Sequence, residues 1–433
     1  MNYKTVDGEK IYGYRWVVLA LCVLAVICVN GATLIFAGMA VPLLTPADAG
    51  GYGLTPQEFQ ILNSCSYLTG FLFCLVTGTW ADRKGLKQVM VVGLAISLVG
   101  AVLRCFTNDF MGMFLTSVVF GFGLAALNAN SAKMLRLWFP GNMVGVAMGV
   151  YLAGATVGCA LAVPIAAGFT NVTPVFIGVA VLSAVTLVAW IFLYKKHPDN
   201  EVPVYEPVAK HLGVVMKSKN LWIACLVIGF LMAAGAVNNG NLVAWLSGAK
   251  GVDAQTAAWV SSMCNITCSI GGIAFPIIIA KTHGEKFWLA GLAFAVAIGV
   301  GIYYFTMDGM MTAYGVIAVS ILVGGTLPLA KALPAQLPDI KQEHMGAAGG
   351  LHSTMQNALA FLIPSFVVGP LITGADGSMN FDMVQYCYMG GAVLVGLFAL
   401  ALPKLTTGGA AEGSEQAAEA SHANVPAEAT AGK

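Results

Sequence analysis

The 433-residue chain is 58% apolar and only 9% charged, with a mean hydropathy of +0.80. A soluble domain carries about 25% charged residues, so a water-soluble globule is excluded and an integral membrane protein is implied. The net charge of +1 supplies no strongly basic surface, and no nucleic-acid partner is expected. The polar start, residues 1–14, leads into an apolar run too long for a signal-peptide core, with no well-placed cleavage site. It is expected to remain cytoplasmic. Apolar segments follow near 16–40, 59–80, 88–106, 111–137, 143–165 and 174–194. After a polar stretch they recur near 221–246, 256–280, 287–306, 311–333, 347–370 and 384–403. About 20 apolar residues cross a bilayer as a helix, so each segment is long enough to span. The ten Cys all lie in such runs, with Cys264 and Cys268 four apart, and read as small buried residues rather than a disulfide framework.

Twelve spans with both termini inside sort the basic residues well. All of the 21 Lys and Arg except Arg104, Lys250 and Lys331 then fall on the cytoplasmic side, as the positive-inside rule requires. Arg104, two residues from a loop, is expected to anchor at the interface. An internal repeat supports the count. Gly145-Val146-Ala147-Met148-Gly149-Val150 resembles Gly346-Ala347-Ala348-Gly349-Gly350-Leu351, and Pro164 and Pro364 follow at nearly equal distances. The expected architecture is therefore an all-α membrane protein of twelve transmembrane helices in two pseudo-symmetric six-helix bundles, 15–194 and 221–403. A cytoplasmic linker, 195–220, joins them, and 404–433 reads as a disordered cytoplasmic tail.

Polar side chains inside the spans are unevenly placed. Spans three, six, nine and twelve carry no interior Asn or Gln. Asn30, Asn63, Asn128, Asn130, Asn238, Asn239, Asn241, Asn265, Gln356 and Asn357 lie on the others, span five excepted. Amides are costly in lipid unless they face protein or water, so the set implies a polar cavity. The alternative for any single amide is a hydrogen bond gluing two helices together. Helical spacing puts Asn128 with Ser131 on one face, and His352 with Gln356 on another. No Asp or Glu lies in a span interior, leaving Lys331 and His352 as the titratable groups near the core. Lys331 stands in Gly324-Gly325-Thr326-Leu327-Pro328-Leu329-Ala330-Lys331-Ala332-Leu333-Pro334, where two Gly and two Pro are expected to break or kink the helix. Interrupted helices point to transporter binding sites. A lone cation at depth is expensive, and an anionic solute would relieve that cost. The competing reading is that the long Lys331 side chain snorkels toward the cytoplasm.

The loop between spans two and three is Gly78-Thr79-Trp80-Ala81-Asp82-Arg83-Lys84-Gly85-Leu86-Lys87. Its pattern, Gly-x-x-x-Asp-Arg-x-Gly-x-Lys, resembles the signature of major facilitator superfamily transporters, and the likeness extends over residues 15–403. The resemblance implies a central cavity with every third helix outermost. It also implies a latch of Gly78, Asp82, Arg83 and Gly85. Asp82 would sit at the start of span eleven and help close the cytoplasmic side, Gly78 would allow close helix contact, and Arg83 would pair with neighbouring loop groups.

Within that superfamily, Leu127 to Pro140 with Gly145 and Gly149 is similar to the branch of cyanate- and nitrate-type small-anion porters. The Arg that nitrate porters carry in spans two and eight is missing here, as is the Arg and Lys pair of oxalate-type exchangers. Proton-driven drug exporters, the alternative, usually carry an Arg early in span four, and Leu115 to Val119 supplies none.

The implied function is a secondary or facilitative transporter of a small anionic solute. Its expected contacts are Lys331 as counter-charge, with Asn30, Asn128, Asn130, Asn239, Asn265, His352 and Gln356 as hydrogen-bond partners. A monomer in the bacterial inner membrane is expected, with no cofactor and no metal; the bilayer and the solute are its partners. A proton or a counter-substrate is left open as the coupling species. A polytopic enzyme or sensor is the remote alternative, and neither a catalytic grouping nor an output domain accompanies it.

Overall fold

The structure is a computed structural model that describes residues 3–6, 9–139, 143–197, 209–282, 284–341 and 344–405. Twelve helices among them are long and apolar enough to cross a membrane. In the first bundle they are α1 (Arg15–Gly38), α2 (Pro56–Lys84), α3 (Leu86–Arg104), α4 (Phe110–Trp138), α5 (Met143–Ala167) and α6 (Val172–Leu193). In the second they are α7 (Lys219–Lys250), α8 (Ala254–Thr282), α9 (Glu285–Thr306), α10 (Gly309–Gln336), α11 (Met345–Leu362) and α12 (Phe381–Ala401). The even number of traversals puts the start of α1 and the end of α12 on one face, called here the terminal face; the other is the far face.

Local chemistry sets the helix ends. Thr55 and Glu58 form a reciprocal capping box at α2, with Pro56 at the first helical position. Asp109, Asn171, Ser218 and Asn380 each accept a backbone N–H at the start of α4, α6, α7 and α12. One residue, Gly85, separates α2 from α3, and its φ of 90° is one that glycine adopts without strain.

As the distribution of amides implied, α3, α6, α9 and α12 make their substantial contacts within their own bundles. The bundles meet along α1–α7, α2–α11, α2–α7 and α5–α8. Inside each bundle small residues bring backbones together. A Cβ placed on Gly158 of α5 would lie 2.5 Å from the Ile27 carbonyl of α1, and one on Gly38 would lie 2.4 Å from that of Val163.

Two expectations are corrected. The Gly- and Pro-rich stretch around Lys331 does not interrupt its helix, since α10 runs unbroken through Pro328 and Pro334. Its glycine serves packing instead. A Cβ on Gly324 would lie 1.8 Å from the Cys268 carbonyl, and one on Gly271 lies 1.9 Å from that of Ile321, so α8 and α10 touch backbone to backbone. Helix-breaking residues are tolerated where neighbouring helices satisfy the freed groups. The real irregularity is in α11, which continues as a π-helical turn, Ile363–Val368, containing Pro364.

The other correction concerns Arg104, which is buried (2% exposed) rather than interfacial. Its guanidinium lies 5.2, 5.1 and 5.6 Å from the rings of Phe36, Phe120 and Phe176, and Nη2 donates to Ser117 Oγ at 2.9 Å. Nε and Nη1 have no partner. Near the start, Tyr3–Val6 pairs antiparallel with Glu9–Tyr12, a hairpin the polar composition did not suggest.

Candidate functional site

The seam between the bundles is closed from mid-depth to the far face. Asn241 Nδ2 on α7 donates to Gln60 Oε1 on α2 at 2.5 Å, while Gln60 Nε2 donates to Ser64 Oγ at 3.1 Å. Between α5 and α8, the Thr156 and Ser269 hydroxyls share a hydrogen bond of 2.8 Å and Ser262 Oγ donates to the Ala160 carbonyl. Gln255 Nε2 donates to the Pro164 carbonyl at 3.1 Å, one of the acceptors that the end of α5 leaves unsatisfied. Gly70 of α2 abuts Asn357 of α11, where an added Cβ would sit 2.9 Å from Oδ1, and Gly369 abuts Gln57 nearer the far face.

Toward the terminal face the same helices part. Gly346 and Gly349 of α11 have nothing within 4 Å of an added Cβ, and Gly78 of α2 would meet only Ala129 of its own bundle, at 3.8 Å. No contact joins α2 and α11 at these glycines, on the terminal side of Gly70 and Asn357, and this separation is called the gap. Arg83 is exposed and Gly85 half-buried. The Asp82 side chain lies outside the described residues.

The candidate contacts are spread in depth rather than gathered in one ring. At 1.5 Å per residue, Lys331 is ~8 Å from the terminal-face end of α10, and His352 ~10 Å from that end of α11. Lys331 is exposed although its helix is packed on several sides, and it lies near His352. No acidic partner accompanies it among the described residues. His352 is buried (4% exposed), lies against the Ala224 backbone and near Lys331, and its Nε2 is unpartnered. Gln356, half-buried, stands one turn deeper on α11.

Deeper lie Asn30, Asn265 and Asn239, all half-buried, ~22, ~25 and ~30 Å from the terminal-face ends of their helices, while the exposed Asn128 lies ~15 Å in, level with Gln356. The Asn30 carbonyl accepts Thr33 Oγ1 at 2.7 Å and Cys159 Sγ at 3.7 Å; Asn265 Nδ2 donates to the Ser261 carbonyl at 2.9 Å. Asn130 behaves differently. It is fully buried, donating to the Ala126 carbonyl at 2.8 Å and the Thr77 carbonyl at 3.4 Å, and so braces α4 against α2. Two residues apart on a helix is nearly half a turn, which sends Asn128 and Asn130 to opposite sides. Gln60 escaped the sequence analysis because it stands near a span end, although its spacing to Ser64 on one helix face was readable.

The profile described as Major Facilitator Superfamily matches residues 23–364. The chain is 26% identical to a "Probable L-galactonate transporter" of Escherichia coli (strain K12) over 166 residues, 38% of this chain and 37% of that one. It therefore spans little more than a third of the length of that relative. A "Probable sulfoacetate transporter SauU" of Cupriavidus necator is 23% identical over 374 residues, 80% of this chain and 86% of its own. Among solved structures, the nucleoside transporter NupG superposes with a TM-score of 0.73 at 16% identity, covering 91% of this chain and all of that one, which shows a shared fold.

Proposed function

The chain belongs to the Major Facilitator Superfamily of membrane transporters, and from that premise we propose that it carries a small organic anion between its two bundles. The single observation behind the anionic solute is Lys331, an exposed ammonium beside His352 with no acidic partner among the described residues, which in this reading faces the gap. A cation held between helices needs an anion, and a mobile solute supplies one. His352 Nε2, close by and unpartnered, offers a second nitrogen to a carboxylate or sulfonate. L-Galactonate and sulfoacetate, the cargoes in the names of the two relatives above, are both small organic anions, which supports the class without choosing a compound.

In this reading the deeper amides take the hydroxyl or carbonyl groups of the solute, and Asn130 holds its helix in place. The terminal face is the cytoplasmic one, carrying most of the basic residues, so the gap is open to the cytoplasm. The protein works as a monomer in the bacterial inner membrane, and a proton or a counter-solute completes its cycle. Counterflow in proteoliposomes tests the solute class. Preloading with small carboxylates and sulfonates should drive exchange, with and without a pH gradient, while lipophilic cations should not. Exchange of the cations alone would replace the anion reading with drug export.

Closing the terminal face requires α2 and α11 to meet at Gly78, Gly346 and Gly349, which brings Asp82 toward the start of α11. A carboxylate there gains ~0.3–1 kcal/mol from the helix dipole. Asp82→Asn should therefore shift the balance toward the terminal-face-open state by about two- to five-fold. The readout is the labelling rate of a Cys placed at Gly349 in a background lacking the native Cys. Equal rates with and without the Asp82 carboxylate would remove the latch.

A further inference from the structure

A second, separate cavity lies on the terminal face of the first bundle, away from the gap. It encloses about 800 Å³ between the end of α2, the start of α3, the end of α4 and the segment following α6. Arg83, Lys84, Lys87, Lys133, Lys196 and His197 line it, and no acidic side chain does among the described residues. Lys87 is fixed by donating to the Tyr194 carbonyl at 2.8 Å, and Lys133 reaches the Gly78 carbonyl at 3.4 Å, so the walls of the cavity are tied to one another. Tyr194 and His197 are held in turn, Tyr194 stacked on Trp190 and His197 edge-on to Trp138.

Most of the remaining lining is apolar. Leu86, Val91, Val92 and Leu137 form the floor, which descends along α3 for ~9 Å from its first residue. Gln88, Val91 and Val92 share one face of α3, opposite the buried Val89 and Met90. α3 makes its substantial contacts only within its own bundle, which leaves it at the bundle's rim. Ordinary positive-inside residues project into water, whereas these surround a hollow that is cationic at its rim and greasy toward the membrane.

We infer that this cavity binds the phosphate headgroup of an anionic phospholipid, with the acyl chains running down the outer face of α3. A phosphate is the chemistry that several converging Lys and Arg satisfy, and basic pockets at helix ends select anionic lipids. A soluble phosphate would use the rim but gain nothing from the floor. The site is independent of the solute, and its test does not involve transport.

The test is lipid retention by the purified full-length protein, read by native mass spectrometry after exchange into detergent doped with equal phosphatidylglycerol and phosphatidylcholine. The wild type should retain phosphatidylglycerol at least ten-fold over phosphatidylcholine. Lys84 and Lys196 are exposed and line the rim without a described hydrogen bond. Each basic residue near an anionic lipid is worth roughly five-fold in affinity, so Lys84→Gln with Lys196→Gln should lower retention about thirty-fold. An unchanged elution volume and helical spectrum would show that the double variant is folded. Lys281→Gln, a basic substitution on the terminal face of the other bundle, should leave retention unchanged. Equal retention of the two lipids, or a double variant that still selects phosphatidylglycerol, would overturn the inference. So would displacement by inorganic phosphate at millimolar concentration, since the site would then belong to a soluble anion.

Discussion

Replacing Lys331 by Ala is expected to raise the half-saturating concentration of the transported organic anion about thirty-fold, with little effect on protein yield. A contact between a charged donor and a charged solute is worth about 2 kcal/mol, and each 1.4 kcal/mol is a decade of affinity. Yield should hold because the ammonium makes no described hydrogen bond and its removal leaves no buried partner stranded. Lys331→Arg keeps the charge and should recover part of the affinity. It should not recover all, because a planar guanidinium presents its donors differently from a compact ammonium. Uptake titrations in proteoliposomes read both. A side chain that merely snorkels to the terminal face would give unchanged saturation in the Ala variant, and the counter-charge role would then be lost.

Arg104→Ala is expected to destabilise the first bundle severely, by about 3 kcal/mol or more. The guanidinium is enclosed by Phe36 of α1, Phe120 of α4 and Phe176 of α6, with Ser117 as its one hydrogen-bond acceptor. No carboxylate balances it among the described residues. The charge is offset by ring faces, each worth up to ~2 kcal/mol when water is excluded, and by its place on the last turn of α3, where the helix dipole favours a cation. Truncation removes these contacts and leaves a cavity among four helices. Arg104→Met restores most of the volume but no charge and should fall between Ala and wild type. The apparent unfolding temperature in detergent gives the ranking. Should Met match the wild type, packing alone would explain the site and the rings would be carrying no charge.

The twelve helices were readable because lipid imposes a simple rule on composition and because their starts carry short-range chemistry. Thr55, Pro56 and Glu58 announce α2 within four residues of sequence, and Gly85 announces its end. Where position depends on distant helices, the sequence was mute. Nothing within a few residues of Arg104 indicates that Phe36 and Phe176 will close over it. Pro328 and Pro334 carry a strong local signal for interruption, yet α10 continues, because Gly324 docks on a carbonyl of α8 some fifty residues earlier. The hairpin at the start is weak by itself, as isolated two-stranded ribbons are. Tyr12 at its end is buried in the first bundle, and this tertiary anchor has no local signature.

The polar residues of the candidate site were visible one by one, since an Asn between apolar neighbours stands out. Their depth was not. Lys331 and His352 lie at similar depth because α10 ends and α11 begins on the same face, a matter of topology. Asn128 and Asn130 were readable as opposites from the helical repeat alone, so grouping them was an avoidable step.

The fastening between the bundles on the far side consists of amides, hydroxyls and two main-chain oxygens, and none of the pairs named there carries a formal charge. Dissolved electrolyte screens ions but leaves such dipolar contacts almost untouched. Exposing the solute to the far side should thus cost nearly the same in dilute and in concentrated buffer. The opposite side, crowded with Lys and Arg, should respond to ionic strength, so the two halves of the transport cycle would be separable by salt alone.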